Sequence, residues 1–160
     1  MGKGIGYVYL KICLININDM KLNELRVGNY VFYNGFIALV SSLHSPSPNS
    51  DPRFSDKELA TIFVRGSYIT EPLEDLNPIP IFRSFFEDNG FIEDDNYGFP
   101  VLSNSELYMT VYETGKGWHV HIDDQDYCTS FSGVVENLHT LQNIHFFAAG
   151  KELEFKLCQI

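Results

Sequence analysis

Tyr30-Val31-Phe32-Tyr33-Asn34-Gly35-Phe36-Ile37-Ala38-Leu39-Val40-Ser41-Ser42-Leu43 decides the fold class. Two runs of aromatic and β-branched residues, types that suit a half-buried pleated surface, flank an Asn-Gly pair. The type I′ hairpin turn needs positive φ at both central positions, and Asn followed by Gly meets that need at least cost. The stretch therefore predicts a strand over Tyr30–Tyr33, a tight turn, and a return strand over Phe36–Leu43.

Downstream, residues 44–57 (HSPSPNSDPRFSDK) are rich in Pro and Ser without periodicity and read as a loop, with Ser55 and Glu58 placed to cap a helical turn. Ala60–Arg65 is a third strand stopped by Gly66; Ser67–Glu71 starts a fourth, which Leu73–Leu76 continues after Pro72. Short strands joined by tight turns predict a small, highly curved, SH3-like β-barrel over residues 20–80. Asn77-Pro78-Ile79-Pro80 ends this half, because two prolines do not fit inside a paired central strand.

Residues 81–160 then read as an α+β unit. Phe82, Phe85 and Phe86 give helical spacing to Ile81–Asp88, with Gly90 as its stop, and Phe91–Asn96 is an acidic turn region. Strands follow over Phe99–Leu102, Leu107–Glu113 and Trp118–Asp123, the last two joined by Thr114-Gly115-Lys116-Gly117. A helix is expected from Ser132, as its cap, to Ala149, with Val135, Leu138, Leu141, His145 and Ala148 on one stripe and Gly150 as the stop. Alternating Leu153, Phe155 and Leu157 predict a closing strand over 152–157. The expected fold class is thus α+β: a small SH3-like β-barrel, then a C-terminal antiparallel sheet with one main helix. Residues 1–19 form an N-terminal extension, either an extra strand near 5–17 or a stretch upstream of a natural start at Met20.

The 160 residues are 44% hydrophobic and 20% charged, with a formal net charge of −10. Such a composition supports a globular core and argues against disorder. The charge is uneven: residues 71–126 hold 13 acidic side chains against only Arg83 and Lys116. Binding a phosphate backbone needs clustered Lys and Arg, so direct nucleic-acid binding is disfavoured. Three widely spaced cysteines, Cys13, Cys128 and Cys158, make neither a disulfide framework nor a CxxC site and suit a reducing compartment. No apolar run is long enough to span a membrane, Lys11 interrupts the signal-like N-terminus, and Gly6 stands where a myristoylation signal wants Ser or Thr. The expected location is the cytoplasm.

The sharpest chemical pattern is Trp118-His119-Val120-His121-Ile122-Asp123-Asp124. On a strand, His119, His121 and Asp123 share one face and Trp118, Val120 and Ile122 the other. Two imidazoles and a carboxylate on one face are compatible with a metal site, and the run resembles the HxHxDH motif of the metallo-β-lactamase family. Asp124 replaces that motif's final histidine, and the family's framework and further ligands are missing. Such a face supports a metal-dependent hydrolase as one alternative and a solvated strand face as the simpler reading. Glu136 and His139 make an ExxH pair, but without the second pair and long helices of di-metal bundles they read as surface residues, with His139 beside the core. No nucleophile elbow or phosphate loop is found, and Cys128 has no basic sequence neighbour. No cofactor is expected. The binding candidates are His119, His121, Asp123 and Trp118, with Arg53 and Phe54 in the 44–57 loop.

Several segments resemble a family of short, uncharacterised proteins from gut anaerobes and their phages and mobile elements. They are Glu24-Leu25-Arg26-Val27-Gly28-Asn29-Tyr30-Val31, Leu76-Asn77-Pro78-Ile79-Pro80, and residues 138–153 (LHTLQNIHFFAAGKEL), similar to the family's HxLQNLYFALTGEEL ending. Residues 1–19 precede the family's usual start, and Ile81–Asn89 lacks its Thr-Glu-Glu-Trp-like helix opening. The resemblance implies a phage or mobile-element accessory protein in a host bacterial cytoplasm and carries no catalytic residue. The leading expectation is a non-enzymatic protein that binds a protein partner, compatible with a small homo-oligomer. A second alternative is an acidic inhibitor of a host nucleic-acid-binding protein, using the carboxylates of 71–126 to mimic a phosphate backbone.

Overall fold

The computed structural model describes residues 20–47, 51–123 and 130–155. The expectations for residues 1–19 and for 156–157 fall outside them. The chain is α+β, with two antiparallel sheets and one main helix. It divides into two compact units between Pro80 and Ile81. Among the described residues no helix is long and apolar enough to cross a membrane.

The first unit is a four-stranded meander: β1 (Tyr30–Tyr33), β2 (Phe36–His44), β3 (Leu59–Val64) and β4 (Ser67–Pro72), in that order. Asn34 and Gly35 take φ of 47° and 87°, the positive pair a type I′ turn requires, and Tyr33 faces Phe36 across the turn. Arg65 and Gly66 repeat the device at the β3–β4 turn. Alternation turns Val31, Ala38, Val40, Ala60 and Ile62 into a core completed by Met20, Leu25, Leu73 and Leu76. The sheet is not the closed barrel expected from the sequence. Leu73–Asp75 forms a 3-10 turn instead of prolonging β4, and among the described residues the chain returns to β1 only through a bridge between Phe32 and Asn77. Pro72 stands opposite Leu59, and the ladder makes one further bond, from Leu73 N–H to the Glu58 carbonyl at 3.0 Å, before the 3-10 turn ends it. The resemblance motif around Gly28 and Asn29 has structural work here. Gly28 has φ of 93°, and buried Asn29 accepts the Arg26 N–H at 2.7 Å while its own carbonyl accepts from Val40 at 2.8 Å.

One irregularity sets this unit's outer surface. The β2–β3 register shifts between Val40 and Ser42, making Ser41 a bulge residue. The extra residue keeps Leu43 against the core and turns Ser42 and His44 to the same outer face as Thr61 and Thr70.

In the second unit, α1 (Arg83–Asp88) precedes a five-stranded antiparallel meander: β5 (Ile92–Glu93), β6 (Leu102–Asn104), β7 (Met109–Thr114), β8 (Gly117–Asp123) and β9 (Ser130–Val135). The strand expected over Phe99–Leu102 begins only at Leu102, after Pro100. Leu102, Val111 and Val120 align across the inner face, with Met109, Ile122 and Trp118 beside them, all buried. Phe86 of α1 is fully buried against Trp118 and Phe91, with ring centroids 4.8 and 5.0 Å away.

α2 (Leu138–Ala149) is shorter than the sequence predicts. Residues 130–135 form β9 instead, paired with β8 from Trp118–Val135 to Asp123–Ser130. The Phe-Ser-Gly-Val-Val run combines a poor helix former with β-branched residues, and pairing with β8 satisfies its backbone. Asn137, not Ser132, caps the helix: its side chain accepts from Thr140 N–H at 3.1 Å. Gly150, at φ of 65°, ends it. Asn137→Ala is expected to cost about 0.5–2 kcal/mol in urea unfolding, most of it restored by Asn137→Asp. Residues 152–155 form no strand, although Leu153 and Phe155 are buried. Phe155 packs edge-on to Phe85 at 4.4 Å.

Candidate functional site

Alternation along β8 builds the candidate surface. Trp118, Val120 and Ile122 turn inward, while His119, His121 and Asp123 face out. Trp118 therefore does not share a surface with the other three. It is only 5% exposed, and its indole N–H donates to the Ile81 carbonyl at 3.2 Å.

The outer face carries a ladder of rings. Register places Tyr112 of β7 opposite His119, and the two rings stack at 4.6 Å with planes 15° apart. Phe99 meets Tyr112 edge-on at 5.2 Å, and Tyr97 lies 6.3 Å beyond. On the other side, Val134 of β9 pairs with His119, and Ser132 Oγ lies 3.2 Å from His119 Nε2. Tyr97 and Phe99 are each 50% exposed and Val134 48%, so several apolar groups lie open on one face.

The two imidazoles do not converge. His121 Nε2 lies 3.0 Å from Asp123 Oδ1 along the strand, whereas His119 is stacked on Tyr112, with its Nδ1 buried and lacking a hydrogen-bond partner. Among the described residues no three His, Cys, Asp or Glu side chains gather in a metal-binding group. Glu136 precedes α2, so it and His139 do not form a pair on one helix. His139 is also not a surface residue. It is 2% exposed, buried with Gln142 and His145 on a helix face wider than the apolar stripe.

Burial pushes the His145 imidazole below its ordinary 6.5, opposed by the hydrogen bond to the Lys151 carbonyl and by Glu152, while the Lys151 charge adds to the depression. The unfolded chain then takes up the proton first. The stability tied to neutral His145 is full above the unfolded value and is lost as pH falls through it toward the folded one. Urea unfolding between pH 7.5 and 5.5 should show stability decreasing with acid by no more than about 1.4 kcal/mol per pH unit from this one proton. His145→Gln should remove that part of the slope.

Arg53 and Phe54 lie in the first unit, in the turns after the 44–47 segment. The Arg53 guanidinium grips Asp51, with Nη2 2.6 Å from Oδ2, and holds that carboxyl down to about 2. It also lies over the Phe54 ring, 5.4 Å from its centroid. Phe54 walls a shallow groove of about 450 Å³ shared with Leu59, Thr61, Thr70 and His44. Along it, His44 Nε2 lies 2.9 Å from Ser42 Oγ and 3.0 Å from Thr61 Oγ1, which is 2.9 Å from Thr70 Oγ1. Among the described residues, the partners of the His44 ring in this chain are the hydroxyls of Ser42 and Thr61, with no carboxylate orienting it as an activated nucleophile would have.

Sequence reasoning missed Tyr97, Phe99, Tyr112 and Val134. The period-2 pattern of β7 carried the signal for Tyr112, whereas the other three depend on register and on the path of the chain before β6. Comparison of the chain with family models, with curated proteins and with solved structures finds no match.

Proposed function

We propose that the chain is a non-enzymatic binding protein that holds a protein partner on the outer face of β7, β8 and β9. The observation that supports this most is the row of rings Tyr97, Phe99, Tyr112 and His119, in which Tyr97 and Phe99 are half-exposed, Tyr112 and His119 are partly buried, and half-exposed Val134 forms the border. Exposed aromatic groups gathered on one rigid face are the kind of surface that partners desolvate, and truncating such anchors typically costs most at an interface. Within this proposal the chain is an accessory protein of a phage or mobile element acting in a host bacterial cytoplasm, supported by the motifs of residues 24–31, 76–80 and 138–153. The first unit is read as SH3-like, supported by its short curved meander and the Phe32–Asn77 bridge back to β1.

Capture from bacterial lysate, followed by titration of the captured protein, tests the site. Tyr112→Ala is expected to weaken binding by at least about 30-fold, a hot-spot loss near 2 kcal/mol. Phe147→Ala removes a ring that is 83% exposed on α2 and should leave affinity unchanged. Equal affinity of wild type and Tyr112→Ala would remove this face from the account. The rival hydrolase reading needs His119 and His121 on one ion, whereas His121 is engaged with Asp123 and His119 with Tyr112 and Ser132. Elemental analysis of tag-free protein decides it: about one equivalent of Zn, Mn or Fe would favour the hydrolase.

A further inference from the structure

The partner's chemistry follows from how this chain treats its own arginines. In the first unit, Arg65 lies 4.7 Å over the Phe36 ring and Arg53 lies 5.4 Å over Phe54. The guanidinium plane is weakly hydrated, stacks on rings and keeps its edge donors for carboxylates, and Arg53 does both at once through Phe54 and Asp51. The second unit offers the same two ingredients without the cation. No guanidinium or ammonium of the described residues lies over Tyr97, Phe99 or Tyr112. The unit's single arginine, Arg83, is held by Glu87 and Glu93 at 2.7 and 2.8 Å.

Charge points the same way. Residues 81–157 hold 13 acidic side chains and four basic ones, a net of −9, while residues 1–80 hold eight acidic and seven basic, a net of −1. Carboxylates occur on the same elements as the rings, although Asp123 is also 3.0 Å from His121 Nε2. Asp95 begins the 3-10 turn that ends at Tyr97, and Asp123 closes the outer row of β8, its side chain 63% exposed. A phosphate backbone would meet like charge here, and a neutral apolar segment would leave these carboxylates facing the interface without a counter-charge.

We propose that the outer face of β7–β9 receives an arginine-bearing segment of the protein partner, its guanidinium groups stacking on Tyr97, Phe99 and Tyr112 and pairing with Asp95 and Asp123. This inference rests on the reading of that face as a protein-binding surface and adds the identity of what it reads.

Two peptides of equal length and net charge, one with arginines and one with lysines at the same positions, are titrated into the full chain at 0.15 M salt. The arginine peptide is expected to bind at least ten-fold more tightly. Phe99→Ala, which alters a half-exposed ring outside the strands, should reduce that binding about ten-fold while circular dichroism stays native. Asp95→Asn with Asp123→Asn should weaken it similarly without touching a ring. Equal affinity for the two peptides, or arginine binding indifferent to Phe99→Ala, would overturn the proposal, because net charge alone would then explain the attraction. A lysate partner lost on Tyr112→Ala, combined with no arginine preference, would keep the face as a protein site and reject only the arginine.

Discussion

Phe86→Ala is expected to destabilise the second unit by about 3–5 kcal/mol, the range for deleting a fully buried phenylalanine. Phe86 has no exposed surface and lies against three other rings: Phe85 at 5.6 Å, Phe91 at 5.0 Å and Trp118 at 4.8 Å. Removing it takes away transfer free energy and leaves a cavity among rigid groups that cannot easily close on it. The consequence reaches function, because Trp118 is the inward side chain of the strand whose next residue, His119, carries the ladder. Urea unfolding monitored by the fluorescence of the lone tryptophan measures the loss, and Phe86→Leu should recover a large part of it.

Gly117→Ala is expected to cost about 2–5 kcal/mol, combining backbone strain with a steric clash. Gly117 opens β8 at φ of 127°, where L side chains are strained, and an added Cβ would lie 2.5 Å from the Val135 carbonyl oxygen. That oxygen belongs to β9 and cannot rotate away as a side-chain tip would. Relief requires β8 and β9 to part at the end where Trp118 pairs with Val135. Gly66→Ala is the matched comparison. Its φ is 81°, but a new Cβ meets nothing within 4 Å, so only the conformational cost of about 1–2 kcal/mol is expected. Similar losses for both variants would show that the close approach at Val135 contributes nothing.

Elements whose signals are local were legible in the sequence. Asn34-Gly35 names its turn because both residues take positive φ, and in Thr114-Gly115-Lys116-Gly117 the same holds for Gly117 alone. Gly150 marks the end of α2 for the same reason. The start of α2 was not legible in this way. Ser132 and Asn137 are both acceptable caps, and what separates them is the pairing of residues 130–135 with β8, a tertiary effect that a window on the chain cannot see. Barrel closure likewise turned on whether residues after Pro72 continue a strand, and the backbone turns at Leu73–Asp75 instead. The bulge at Ser41 has no residue signature, yet it decides that Ser42 and His44 face outward.

The candidate site divides along the same line. Alternation alone separates His119, His121 and Asp123 from Trp118. The apposition of Tyr112 to His119 needs the β7–β8 register, and the approach of Phe99 and Tyr97 needs the chain path across residues 94–101. Alternation therefore separated the two faces of β8 but did not reveal the side chains of β7, β9 and residues 97–99 beside it. A reading as a metal face followed naturally from two histidines seen without their neighbours.

Amide hydrogen exchange of the full chain, with and without its captured partner, locates the bound face. Protection on binding should concentrate at β7, β8, β9 and residues 95–99, leaving the first unit's groove around His44 and Phe54 unchanged. Protection confined to that groove, or to α2, would contradict that placement.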